Sequence, residues 1–232
     1  MATALTFDQI FTAYYTQYRA DADVPTSSDD EYTIGLRLAN EAINYWENYD
    51  ATYWKELWTN LQSASTGATT TITTGTQTYA APTAFKEAGG NVRVLDTGGG
   101  VLQTYPIIEP HEAQFKAKDA VYAYFTQATT GLFTLHINPA PTSALNGKSI
   151  DYDYYKTATL FTTGSSTTEM ANPYFVVHRI LANQFRASRN PYYTAAKGDA
   201  ENAIKVMQMH NNSGTWANPW SMSDTSGTAW GA

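Results

Sequence analysis

The sequence predicts an α+β protein: a four-helix bundle made from the N- and C-terminal segments, with an inserted small antiparallel β domain and an extended C-terminal tail. Before Ser63 and after Asn172, apolar residues recur at spacings of three and four, as in amphipathic helices. Between these segments the chain is rich in Thr and Gly, and its apolar residues alternate as in strands. The expected boundaries are 1–66 and 158–210 for the bundle, 67–157 for the β domain, and 211–232 for the tail.

The N-terminal half of the predicted bundle contains two helices. The first covers Thr6–Ala20. The second begins at a capping box, Ser28-Asp29-Asp30-Glu31, and its acidic residues complement the positive end of the helix. We expect it to continue, unbroken or nearly so, through the weaker stretch Asn48–Thr52. Its predicted apolar stripe comprises Ile34, Leu38, Ala42, Tyr45, Tyr49, Tyr53 and Leu57, widened by Trp46, Trp54, Trp58 and Leu61.

The middle of the chain has the pattern of a small antiparallel β unit. Thr-rich residues up to Ala81 favour extended structure, with Gly75-Thr76 as a turn. Alternation of apolar and polar residues then predicts further strands. These are Val92–Leu95, Val101–Ile108, a hairpin of Val121–Gln127 with Leu132–Asn138, and Ile150–Tyr154.

Two further helices are predicted in the C-terminal half. Each has a start signal in which Asn precedes Pro, at Asn172-Pro173 and at Asn190-Pro191. Neither half of the chain is expected to bury its apolar helix faces alone, which is why the four helices are predicted to share one core.

Composition excludes several classes of protein. With a net charge of −7, the chain lacks the excess of Lys and Arg that proteins use to hold nucleic acid by its phosphates. It has no Cys, so disulfides and thiolate metal sites are impossible. The N-terminus has no basic region followed by an apolar run, so we expect no signal peptide, and the polar stretch 120–147 could not span a membrane.

Two carboxylate motifs are candidates for chemistry. Asp96-Thr97-Gly98 matches the D-T-G of aspartic proteases, but that mechanism needs a paired carboxylate, and the glycines that follow favour a hairpin turn. Asp151 and Asp153 lie two apart on a strand and therefore share a side. They form either a solvated polar face or a cation site, and the latter would need more oxygen ligands.

The four histidines, His111, His136, His178 and His210, show no spacing typical of metal ligands. We therefore expect no catalytic residues, no metal and no cofactor, and we predict that the protein is not an enzyme.

The tail combines a composition typical of disorder with three large aromatic side chains. Gly, Ser, Thr and Asn dominate residues 211–232, yet Trp216, Trp220 and Trp230 lie among them, with Pro219 beside the second. Trp is the residue most enriched at interface hot spots. These four residues are the predicted anchors for a partner protein.

The order of elements and four local phrases resemble the head-to-tail adaptor (connector) proteins of tailed bacteriophages, including those of the tail tubular protein A type. The phrases cover residues 28–210. They are the helix LANEAINYWENY, the turn and strand Gly75–Phe85, the strand end Leu135–Pro141, and Ile150–Tyr155 leading through a loop to a helix pair that begins at Pro.

This resemblance implies a virion structural protein, assembled in the host cytoplasm, that forms a ring of typically twelve subunits. It implies that the ring joins the portal protein to a downstream tail protein, that double-stranded DNA passes through without specific binding, and that the C-terminal segment reaches into the portal. Two alternatives stay open. One is another tail component, such as a tail-tube or gatekeeper subunit. The other is a carbohydrate-binding adhesive module formed by residues 67–157, since Tyr and Trp are abundant.

Overall fold

The computed structural model describes residues 4–19, 23–63 and 67–213, and these contain four α-helices and nine short strands. The helices are α1 (Phe7–Tyr18), α2 (Asp30–Glu47), α3 (Tyr174–Ala187) and α4 (Tyr193–Ser213). The strands are β1 (Trp58–Asn60), β2 (Thr78–Ala80), β3 (Phe85–Ala88), β4 (Val92–Leu95), β5 (Val101–Tyr105), β6 (Tyr122–Gln127), β7 (Phe133–Asn138), β8 (Ser149–Asp151) and β9 (Asp153–Lys156).

The described chain divides into two compact units. The helical unit consists of the residues up to Leu57 and those from Ala158 onward, and the β unit is Trp58–Thr157. None of the described helices has the length and apolarity needed to cross a membrane.

The predicted first helix is confirmed as α1. Thr6 caps it in a capping box: the Thr6 hydroxyl accepts from the Gln9 N–H at 3.3 Å, and the Gln9 side chain accepts from the Thr6 N–H at 3.0 Å. The buried face is largely aromatic and includes Phe7, Phe11 and Tyr14. Burial of these rings stabilises α1 by the large apolar area removed from water.

The second helix is shorter than predicted. It ends at Glu47, and the chain then turns through Asp50 and Ala51, whose φ angles of 49° and 48° lie in the left-handed region. The turn brings Trp54 against Trp46, with ring centroids 5.4 Å apart and the Trp54 indole N–H donating to the Trp46 carbonyl at 2.7 Å. The prediction of a helix continuing through this stretch was wrong. The chain turns back after Glu47, and this turn buries the Trp54 indole against Trp46.

The buried face of α2 also differs from the predicted stripe. Ala42 and Trp46 are buried as predicted, but Ile34 and Tyr45 are 42% and 40% exposed. Ala39 and Ile43, which were not in the predicted stripe, are buried instead. The true face is therefore rotated around the helix. Small residues on it allow close contact, as at Gly35, where a Cβ would overlap the Phe11 ring.

The predicted four-helix bundle with a single inserted β domain was wrong. In a bundle each helix contacts two neighbours along its length. Here α3 packs against the other three helices, while α1 meets α2 at Tyr32 and Gly35, near the start of α2, and less extensively than it meets α3. The loop before α3 also packs against α1 and α2: Phe161 lies on Phe7 at 5.5 Å, and the Asn40 side-chain amide bonds both backbone groups of Phe161, at 3.0 and 2.8 Å.

The β unit contains three antiparallel sheets of three strands each rather than one sheet. Their strand orders are β1-β9-β3, β2-β7-β6 and β5-β4-β8. Their inward faces share a core in which Phe85 stacks on Phe125 at 4.5 Å, lies 5.0 Å from Phe133, and stacks on Tyr154 at 5.6 Å. Closely packed rings from several strands account for much of the aromatic content of this unit.

Most predicted strands are found, but one is divided. Val92–Leu95 is confirmed as β4, and the predicted hairpin is confirmed as β6 paired with β7. The single strand predicted at Ile150–Tyr154 is instead β8, which pairs with β4, and β9, which pairs with β1 and β3. They separate at buried Tyr152, whose carbonyl accepts from the Leu61 N–H at 3.0 Å.

Candidate functional site

The predicted tail anchors cannot be placed in the structure. Trp216, Pro219, Trp220 and Trp230 all lie outside the described residues. The segment that carries them follows α4, which ends at Ser213.

The D-T-G motif forms the turn between β4 and β5, as the glycines predicted. The Asp96 carboxylate accepts from the N–H groups of Gly98 and Gly100, at 2.9 and 2.7 Å. Gly99 adopts a φ of 84°, which favours glycine. A carboxylate that accepts two backbone N–H groups in its own turn stabilises that turn.

The paired carboxylates Asp151 and Asp153 are bound to a cation supplied by the chain itself. Arg93 Nη2 lies 2.6 Å from Asp151 Oδ2 and 3.3 Å from Asp153 Oδ2. The Asn60 amide nitrogen donates to the other oxygen of each carboxylate, at 2.6 and 3.0 Å. The guanidinium therefore occupies the position that a metal ion would need.

Sequence reasoning missed both Arg93 and Asn60. Arg93 lies directly across the sheet from Asp151, so an opposite-charge cross-strand pair was the signal available once the strand register was known. Among the described residues, no group of three or more His, Cys, Asp or Glu side chains could hold a metal ion.

His136 makes structural contacts on the outer face of the β6–β7 pair. Its ring stacks in parallel on the Tyr124 ring, with centroids 4.6 Å apart, and its Nε2 lies 2.8 Å from the Thr126 hydroxyl. Burial lowers its pKa below the usual 6.5, because the charged imidazolium loses solvation. A neutral ring held between two cross-strand neighbours is typical of sheet packing.

Two surface depressions flank Asp8 in the first turn of α1. One has a volume of about 410 Å³ and the other about 360 Å³, and both include Asp8 and Thr12. The Tyr32 hydroxyl donates to Asp8 Oδ1 at 2.6 Å, and the pKa of Tyr32 rises to about 12 through its burial and this bond. On the other side, the carboxylate lies so close to Gly164 that a Cβ there would overlap it.

Several large apolar side chains are left exposed. Phe115 is 79% exposed, and Tyr192 and Met209 are each 68% exposed. Near the end of α4, Val206 and Met209 line a further depression of about 580 Å³. Val206 and Met209 are neighbours, and contiguous exposed apolar side chains favour association with other surfaces.

Comparison of the chain with protein-family models and with curated protein sequences found no significant match.

Proposed function

We propose that the chain is a virion structural protein that forms a ring-shaped head-to-tail adaptor, which joins the portal to the tail and lets DNA pass. One contrast supports this proposal most. The carboxylates that could have been catalytic are bound to backbone N–H groups or to Arg93, while Phe115, Tyr192 and Met209 are exposed. That distribution suits a protein that assembles through its surface better than one that performs chemistry at a site.

The composition of the chain gives independent support. Three of the six Trp residues lie in the C-terminal 19 residues, in a segment poor in other large apolar side chains. Such residues gain most from burial against a partner. A net charge of −7 also suits a channel wall that repels DNA instead of binding it.

The end of α4 determines where the chain should be cut to test this proposal. Asn211 is tied to the segment after α2: its side-chain amide donates to the Tyr53 carbonyl at 2.8 Å, and its oxygen accepts from the Lys55 N–H at 2.9 Å. Removing residues 211–232 would break these bonds, so the truncation should begin at residue 214.

The experiment is co-purification of the full chain and of the 1–213 chain with the portal protein of the same virus. We expect the full chain to bind the portal as a ring, and the 1–213 chain to stay folded and lose that binding. The matched control is the full chain in which Trp216, Trp220 and Trp230 are all replaced by Ser. It removes the predicted anchors without shortening the chain. If the full chain does not bind the portal, the proposed function is wrong. If the 1–213 chain binds the portal as well as the full chain does, the predicted anchors are wrong.

The two alternatives predict different partners. A tail-tube or gatekeeper subunit would cross-link to other tail proteins and not to the portal. The adhesive module is less favoured because the ring of Tyr124 on the outer face of the β6–β7 pair is stacked on His136, so that ring face is not free to bind a sugar. Glycan binding by the whole chain would favour the adhesive module over the adaptor.

A further inference from the structure

One loop of the β unit presents an aromatic side chain between polar and basic ones. Residues 114–119, here called the Phe115 finger, are all exposed, and Phe115 is 79% exposed. Lys116 and Lys118 follow it and Asp119 ends the segment, so the finger combines an exposed apolar side chain with two positive charges and one negative charge.

The base of the finger is held firmly. The Asn138 side-chain amide donates to the carbonyls of Lys118 and Ala120, at 3.0 and 2.6 Å, and the Lys116 N–H donates to the Ala113 carbonyl at 3.3 Å. A fixed backbone loses little conformational entropy on binding, so an exposed Phe presented in this way suits an anchor.

The two depressions beside α1, here called the Asp8 groove, have the complementary character. Val24 and Pro25 contribute apolar surface to the larger depression, with buried Phe11 beneath it, and Asp8 is the one charged side chain among the described residues lining either. No described Lys or Arg forms an ion pair with Asp8. The larger depression, at about 410 Å³, has room for an aromatic side chain.

We propose that the Phe115 finger of one copy of the chain binds the Asp8 groove of a second copy. Phe115 would enter the larger depression, and Lys116 or Lys118 would face the Asp8 carboxylate. The finger and the groove are different surfaces of the chain, so the contact is head-to-tail, and repeated contacts of this kind can close into a ring. This inference rests on the proposed ring and names the residues that join its subunits.

The absence of Cys allows a direct test by disulfide cross-linking. Phe115→Cys protein and Thr12→Cys protein are purified as full chains, mixed, and oxidised. The mixture should give a covalent dimer, and a chain carrying both substitutions should give a ladder of higher oligomers. Leu132→Cys, at a 51% exposed apolar residue of the same unit, replaces Phe115→Cys in the control and should cross-link far more slowly. Equal rates for the two pairs would overturn the proposal.

Charge reversal provides a second test that does not depend on cross-linking geometry. Thr12→Lys places a cation in the groove at an exposed position of α1, and should weaken self-association by about tenfold or more. Asp8→Asn removes the carboxylate that would repel a reversed finger and keeps an acceptor for the Tyr32 hydroxyl. Combining Thr12→Lys and Asp8→Asn with Lys116→Glu and Lys118→Glu should restore association. Gln17→Lys, exposed elsewhere on α1, is the control and should change little. Sedimentation velocity measures association and circular dichroism checks that each variant is folded.

The outcomes separate this inference from the proposed function. If Thr12→Lys does not weaken self-association, or if the compensating lysine reversals do not restore it, the finger and the groove do not meet. Should the wild type still bind the portal as a ring in that case, the adaptor proposal stands and only the contact is wrong. Cross-linking and rescue without any portal binding would instead support the contact and contradict the adaptor.

Discussion

Replacing Arg93 with Met should destabilise the β unit strongly. Arg93 is the cation shared by Asp151 and Asp153, at 2.6 and 3.3 Å. Met keeps most of the side-chain volume but leaves two carboxylates close together, with the Asn60 amide as their remaining side-chain partner in the described part of the chain. The expected effect is therefore electrostatic rather than a packing defect.

The size of this effect follows from the exposure of the three side chains. Asp151 is 8% exposed, Asp153 31% and Arg93 35%. Two unit charges at 4 Å interact by about 4 kcal/mol at an effective dielectric constant near 20, and breaking a fully buried pair costs about 3–5 kcal/mol. Because Arg93 and Asp153 are partly solvated, we expect a loss of about 3 kcal/mol in the free energy of unfolding.

Urea unfolding of the full chain at pH 7, followed by circular dichroism, measures the change. Arg37→Met is the matched control, because Arg37 is 69% exposed and pairs with Glu41 at 3.6 Å along α2; its loss should cost less than about 0.5 kcal/mol. In the Arg93→Met background, Asp151→Asn should cost less than it does in the wild type, or should stabilise. A loss in Arg93→Met no larger than in Arg37→Met would refute the electrostatic argument.

Three further predictions concern single positions. Gly89→Ala should lower the free energy of unfolding by about 2 kcal/mol, because its Cβ would overlap the Trp58 ring, whereas Gly90→Ala, with open space around it, should be nearly neutral in urea unfolding. Asp96→Ala should lower this free energy by about 1 kcal/mol by removing the acceptor of two turn N–H groups; peptidase activity in the wild type that this substitution abolishes would contradict the turn interpretation. The lowered pKa of His136 means that the unfolded chain takes up a proton first as pH falls through about 6.5, so stability should fall from there until the folded pKa is passed. His136→Gln should flatten the urea-midpoint profile between pH 7 and 5, and unchanged curvature would exclude this histidine as its source.

Short patterns predicted some local structure correctly, although the capping box expected at Ser28 was wrong, because Asp29 is the N-cap of α2 and its side chain makes no cap bond. The spacing of aromatic residues predicted α1 correctly, even though the capping box at Thr6, which begins this helix, was not predicted. The β6–β7 hairpin followed from alternation of apolar residues. Glycines after Asp96 were enough to indicate a turn, because few other residues adopt the backbone found at Gly99.

Prediction failed where burial depended on residues distant in the chain. Periodicity placed Tyr45 in a buried stripe, but the face of α2 that is covered depends on what packs against it. Trp54 satisfied the helical spacing equally well, and only its contact with Trp46 shows that the chain turns back. Asp151 and Asp153 could be placed on one side of the chain, but the sequence did not reveal that Arg93 lies between them.

The sequence by itself determined that the chain is α+β, that it has no thiol chemistry, and that it is unusually rich in Tyr and Trp. Those properties follow from composition and from short-range periodicity, which do not depend on distant contacts. Tertiary structure alone decided that α3 packs against each of the other three helices and that the strands form three small sheets. It also decided which side chains, such as Phe115, are left exposed, because exposure depends on which distant segments pack over a residue.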